Sequence, residues 1–137
     1  MPDVTGVLET CIHVEDIERS ADFYERLFGF RRLGYDERFC AFDVAGRDVL
    51  ILFLRGGTSE LVALPGGLIP PHGGSGQLHF AFAIPAEDVR AWEQRLGEAG
   101  VQIESRVKLS PGGENLYFRD PDGHLVELVT PGIWASY

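Results

Sequence analysis

The stretch CIHVEDIERSADFYERLFGF, residues 11–30, decides the fold, because its hydrophobic period changes at one acidic residue. Before Asp16 the apolar residues form a short run that reads as a strand over about 8–14. After it Ile17, Ala21, Tyr24 and Phe28 recur every three or four residues, which predicts a helix with one apolar face reaching about residue 28. Asp16 is expected to cap that helix, since its carboxylate can accept from an unpaired first-turn N–H, and Gly29 to end it. Three strand-like runs follow at 31–35, 39–44 and 48–54, with Ala45-Gly46-Arg47 as a tight turn between the last two.

The second half repeats this order. A strand at 78–84 leads to a helix over about 85–98, with Val89, Trp92 and Leu96 inward and Gly100 as its stop. Strands at 101–108, 114–119 and 124–130 complete it, and Asp120-Pro121-Asp122-Gly123 has Pro and Gly where a type I turn wants them. The expected fold class is therefore α+β: two paired βαβββ modules forming a curved mixed sheet around a metal cleft. One domain is expected, with module one over about 5–55, a connection at 56–76 and module two over about 77–132. The connection, GGTSELVALPGGLIPPHGGSG, shows little periodicity and is longer than an ordinary loop, so it reads as a linker or a functional lid.

With 137 residues the chain is long enough to bury a real core without disulfides. Lys and Arg number 12 against 21 Asp and Glu, a net charge of −9 with no basic run. Phosphate backbones select the opposite sign, so no nucleic-acid partner is expected. The longest strongly apolar run, 49–54, is far too short to span a bilayer, and the acidic start MPDVTGVLE lacks a signal-peptide layout. No membrane partner and a cytoplasmic location are expected. Cys11 and Cys40 are then expected to be free thiols acting as small buried hydrophobes.

Three residues stand out from their apolar strands. His13 and His79 lie in the opening strands of the two halves, in places that read as matching, and Glu127 interrupts HLVELVT. A carboxylate there must be paired, solvated or bound to a cation to offset its desolvation. Two imidazoles and a carboxylate leave part of a divalent cation's coordination sphere open for substrate, water or O2.

Three motifs, CIHVEDIERSADFYERLFGF, LHFAFAIP and LYFRDPDGHLVELVTP, in this order resemble the vicinal oxygen chelate superfamily of glyoxalases, extradiol dioxygenases, fosfomycin-resistance proteins and bleomycin-binding proteins. The resemblance spans nearly the whole chain. It implies paired βαβββ modules, metal ligands at His13, His79 and Glu127, and a homodimer acting on a small-molecule substrate. Members with a fourth ligand take it from the last strand of module one, and here 49–54 offers no donor. The three-ligand reading tilts toward dioxygenase-like chemistry with Fe2+. Transferase-like chemistry of the fosfomycin type with Mn2+, or a glyoxalase-like lyase or isomerase, is the alternative; Ni2+, Co2+ or Zn2+ would also suit the donors. A non-catalytic bleomycin-type binding protein is the contrasting class.

Catalytic candidates are Tyr117, Glu15 and His72. Tyr117 lies across the turn from Glu127, where three-ligand relatives place a tyrosine near the substrate, and its phenol could donate to a substrate oxygen. Glu15, two residues after His13, is expected on the same strand face as a general base, or at the mouth near the helix start. Relatives that bind a phosphonate have a hydroxyl residue two after the first histidine, and Glu15 in that place would repel the anion. Lys108, Arg106 and Arg119 are the possible anion partners. His72 could act as acid or base if its segment closes over the site, and His124 is expected on the outer face.

Overall fold

In the computed structural model, which describes residues 1–109 and 112–137, the chain divides into two compact units, Met1–Gly76 and Gln77–Tyr137. Each holds a four-stranded mixed sheet and one helix.

The first unit runs β1 (Glu9–Val14), α1 (Ile17–Phe28), β2 (Arg31–Tyr35), β3 (Phe39–Val44) and β4 (Asp48–Leu54), with sheet order β1-β4-β3-β2. β1 and β4 are parallel; the other neighbours are antiparallel. The helix begins where the sequence places it, Asp16 accepting from the Arg19 N–H at 3.0 Å. It ends at Gly29, whose φ of 70° is a left-handed conformation that costs glycine little.

Alternation along the strands separates two faces. Ile12, Val14, Cys40, Phe42, Leu50 and Leu52 are fully buried with Tyr24 and Leu27 of α1, which packs against β3 and β4. Each large aliphatic or aromatic side chain buried there contributes roughly 2 kcal/mol. The opposite face of β1 carries Glu9, Cys11 and His13. Arg32 of β2 clamps the helix from outside, donating to Glu18 at 3.1 Å and to Glu25, with its side chain only 18% exposed.

The second unit runs β7 (His79–Ala83), a 3-10 turn (Ala86–Asp88), α2 (Val89–Glu98), β8 (Ile103–Leu109), β9 (Gly113–Arg119) and β10 (Leu125–Val129). Its sheet order, β7-β10-β9-β8, repeats the first, again with the opening and closing strands parallel. The core holds Val89 and Leu96 of α2 with Leu116, Phe118, Val126 and Leu128. Trp92, expected inward, is only half-buried.

The register of the two units matches residue by residue. The Leu8 carbonyl accepts from the Val49 N–H at 2.8 Å, and the Leu78 carbonyl accepts from the Leu125 N–H at 2.8 Å. Glu9 then pairs with Val49 as His79 pairs with Leu125.

Within 56–76, where the sequence shows no period, a small hairpin forms from β5 (Val62–Leu64) and β6 (Gly67–Ile69). It is too short to leave a strand signature, and most of its side chains are exposed. Among the described residues, no helix is long and apolar enough to cross a membrane. Replacing Arg32 with Ala leaves Glu18 and Glu25 facing each other without their cation. Urea unfolding should show a loss of about 2 kcal/mol, and an unchanged midpoint would contradict the clamp.

Candidate metal centre

Glu127 lies in the middle of β10, 8% exposed, on the strand face opposite Val126 and Leu128. Its direct cross-strand partner on β9 is Tyr117, and on β7 it faces Ala81, whose methyl leaves room above the carboxylate. The Tyr117 hydroxyl donates to Glu127 Oε1 at 2.8 Å, and the Asn115 side-chain amide donates to the same oxygen. Oε2 points elsewhere and stands 3.1 Å from His79 Nε2.

The imidazole is fixed from behind. Nδ1 of His79 lies 3.1 Å from the Leu125 carbonyl, which can only accept, so Nδ1 carries the proton and a neutral ring presents a lone pair at Nε2. A backbone carbonyl in this position orients many metal-binding histidines. Two ligands about 2.1 Å from one cation and at right angles to each other lie about 3.0 Å apart, so the separation observed fits one divalent ion between Nε2 and Oε2. Without a metal the same contact is an ion pair when the ring is protonated. Asn115 Oδ1 is buried without a hydrogen-bond partner among the described residues, leaving an acceptor beside the carboxylate.

Tyr117 therefore steadies the carboxylate, whereas the sequence casts it as a donor to substrate. Its phenol is held above its ordinary value, first by burial and then by its hydrogen bond to Glu127, so it remains a donor at neutral pH. Asn115 escapes the sequence reading. The available signal was its place two before Tyr117, on the same face of a strand otherwise occupied by Leu116 and Phe118.

His13 sits differently. It is buried in the first unit, its ring stacked on Phe53 at 5.8 Å and edge-on to His72 at 5.7 Å. Thr58 donates its hydroxyl to the His72 carbonyl at 2.6 Å, so its oxygen accepts from His13 Nε2 at 3.3 Å. On the other side a Cβ at Gly74 would come within 2.8 Å of His13 Nδ1, which explains a glycine at that point. The expectation that His13 and His79 hold matching places is corrected by the register: His13 pairs with Phe53 as Ala83 pairs with Val129. Among the described residues no three of His, Cys, Asp and Glu gather closely enough to hold an ion. The second unit brings His79 and Glu127 together.

Glu15 stands one residue past β1, exposed, and pairs with Arg55. That partner offsets the charge on which the repulsion of a phosphonate depends. Arg106 and Arg119 are engaged by Glu93 and Glu104, at 2.8 Å in each case. Cys40 is buried, which pushes its thiol up to about 11. Cys11, expected to be buried, is exposed on β1, its thiol raised by partial desolvation and then by the Glu9 charge. Neither is a ready nucleophile at neutral pH.

A pocket of about 410 Å³ opens in the first unit between Phe39, Ile51 and Phe53 of the sheet and Val62, Leu64 and Ile69 of the β5–β6 hairpin. His72, Thr58 and Arg38 supply polar groups at its wall. The segment 56–76 thus contributes a wall to this pocket.

His124, expected on the outer face, is 1% exposed, and its Nδ1 accepts from the Leu78 N–H at 2.9 Å. It anchors the residue before His79. His124→Ala should cost roughly 1–3 kcal/mol by leaving that N–H without its acceptor. Exchange of the Leu78 amide, followed by NMR, should speed up; unchanged protection would contradict the anchoring role.

Residues 6–128 match the family described as Glyoxalase/Bleomycin resistance protein/Dioxygenase superfamily. Similar sequences include the metallothiol transferase FosB of Bacillus licheniformis, 28% identical over 132 residues covering 96% of this chain and 79% of that protein. FosB of Staphylococcus epidermidis is 31% identical over 130 residues, covering 93% and 83%. Among solved structures, that of lactoylglutathione lyase from Agrobacterium tumefaciens superposes with a TM-score of 0.87 at 28% identity, covering 98% of this chain and 99% of that one.

Proposed function

This chain belongs to the Glyoxalase/Bleomycin resistance protein/Dioxygenase superfamily, and from that premise we propose that it is a divalent-metal-dependent enzyme of the transferase or lyase kind, acting on a small molecule. The observation that carries this reading is the contact between His79 Nε2 and Glu127 Oε2, each held from behind by a hydrogen bond that leaves the facing atom as a donor. His13, which the family resemblance names as a further ligand, lies in β1 of the first unit.

Relatives named as transferases, and a structural neighbour named as a lyase, favour the fosfomycin-type transferase alternative, with the lyase second, over the dioxygenase-like reading of the three-ligand set. Mn2+ is the ion proposed for the transferase reading, and the imidazole and carboxylate donors also suit Fe2+, Ni2+, Co2+ or Zn2+. The cation, when bound, supplies a Lewis acid that polarises an oxygen of the substrate. Tyr117 and Asn115 hold Glu127 Oε1, so that the carboxylate does not rotate as charge develops nearby. Phe39, Ile51 and Phe53 give the pocket of the first unit an apolar wall suited to an apolar small molecule. The protein acts as a homodimer, as is common in the family, with exposed sheet edges as the physical motive.

Protein purified without chelator should carry about one equivalent of divalent metal by elemental mass spectrometry, and His79→Ala should lose it while keeping its far-ultraviolet circular dichroism. Addition of a low-molecular-weight thiol to an epoxide phosphonate such as fosfomycin, followed by NMR with Mn2+ and with chelator, tests the transferase reading. Isomerisation of a thiol–α-ketoaldehyde adduct tests the lyase reading. A ligand bound equally well in chelator, with no metal taken up, would instead indicate a non-catalytic binding protein. Tyr117→Phe removes one of two donors to Oε1 and should lower kcat roughly tenfold to a hundredfold with metal retained. An unchanged kcat would remove Tyr117 from the site.

A further inference from the structure

We infer that the pocket of the first unit is a binding site for an uncharged, ring-bearing small molecule with one hydroxyl or carbonyl oxygen. The site is built from this unit alone and needs no metal, so it goes beyond the reading above and stands apart from it. Its origin lies in β4. A sheet packed by a helix on one face commonly alternates apolar and polar residues along its strands. β4 does not: Leu50 and Leu52 are buried on the helix side, yet Val49, Ile51 and Phe53 of the other face are apolar as well. β3 adds Phe39, the direct cross-strand partner of Phe53, and Ala41, the partner of Ile51. This face is therefore an apolar floor with two phenyl rings side by side, and Phe39, Ile51 and Phe53 are only half-buried.

The β5–β6 hairpin stands over that floor without filling the space beneath it. Thr58 and His72 clasp the base of the segment with two hydrogen bonds. The His72 N–H donates to the Thr58 carbonyl at 2.9 Å, and the Thr58 hydroxyl donates to the His72 carbonyl at 2.6 Å. Residues 59–71 thus form a loop whose ends are tied together, which gives the hairpin a defined place. Val62, Leu64 and Ile69 line the pocket from this side, and about 410 Å³ lies between them and the sheet. Leu64 and Ile69 are 54% and 44% exposed, so both walls present apolar surface to water. A volume of this size suits a small organic molecule, and covering that surface favours its binding.

The polar groups of the pocket decide its character. Arg38 has Asp36 beside it at 3.8 Å, and Glu60 adds a negative charge without an ion-pair partner among the described residues. A phosphonate or carboxylate would lose its water on entering and meet no unpaired guanidinium there. His72 offers a contact of another kind. Its ring stands edge-on to Phe53 at 4.7 Å, and among the described residues neither ring nitrogen has a hydrogen-bond partner. An imidazole nitrogen can donate to a carbonyl or accept from a hydroxyl, while the rings of Phe39 and Phe53 favour an aromatic ring laid against them.

The test is a 1H–15N NMR titration of the full chain in EDTA with 1-naphthol and with 1-naphthoate, which carries a carboxylate in place of the hydroxyl. 1-Naphthol should shift the amides of Phe53, Val62 and Ile69, and 1-naphthoate should bind roughly tenfold more weakly. Ile69→Glu places a charge in the pocket and should weaken 1-naphthol binding at least about tenfold. Leu68→Glu, on the same hairpin but outside the pocket, should stay within about twofold of wild type. His72→Phe keeps a ring at the wall and should lose about fivefold. No saturable binding, or equal loss in Leu68→Glu and Ile69→Glu, overturns the pocket as the site. Equal affinity for the two ligands overturns the selection of an uncharged molecule, and undiminished binding by His72→Phe overturns the contact with its oxygen. Binding that requires Mn2+ and disappears in His79→Ala overturns the self-contained site while sparing the metal-dependent reading. Binding of 1-naphthol by protein that takes up no metal overturns that reading alone and supports this one.

Discussion

Parallel pairing of the opening and closing strands is the constraint on which the rest of each unit depends. A parallel pair cannot be made by a tight turn; it needs a long connection, which runs through α1, β2 and β3 in the first unit and through α2, β8 and β9 in the second, with α1 packed on one face of its sheet. The same pairing decides which side chains share a surface. A slip of one residue in β10 would turn Glu127 toward the buried helix side and bring Val126 and Leu128 to the open one. The hydrogen bonds that set this register, with His124 holding the peptide before His79, therefore also set the chemistry.

A carboxylate as buried as Glu127 is costly unless its oxygens are engaged. Here the two oxygens have different partners. Oε1 is held by Tyr117 and Asn115, two neighbours on one face of β9, and Oε2 is left toward His79. This asymmetry is what a ligand requires, since one oxygen is fixed so that the other keeps its direction. The carbonyl behind His79 does the same for the imidazole. Holding both groups in place beforehand would lower the ordering cost of binding the proposed cation.

In the first unit the corresponding face has taken another course. Phe39, Ile51 and Phe53 form an apolar wall, and the β5–β6 hairpin faces it across the pocket. His13 is part of that construction, linked through Thr58 to the backbone at His72. One pattern of strands thus serves two purposes. The second unit orients polar donors, and the first encloses apolar space. Members of one superfamily can use the same sheet for different substrates because the side chains on this face are independent of those that form the core.

Much was legible in the sequence, because it rests on local period and on residues with a local task. Asp16 and Gly29 bound α1 through hydrogen bonds within a few residues, and the five strands at 31–35, 39–44, 48–54, 114–119 and 124–130 are found within one residue of the places their alternation indicates. Glu127 could be singled out because a charge in an apolar strand needs a partner. What the sequence could not determine is pairing between distant strands. Two histidines in opening strands look equivalent along the chain, and only the hydrogen bonds at Val49 and Leu125 reveal a four-residue offset between them. Asn115 and the inward His124 were hidden for the same reason, since their partners Glu127 and Leu78 lie 12 and 46 residues away. Local propensity is written in neighbouring residues; register and donor geometry arise only when the backbone has brought distant ones together.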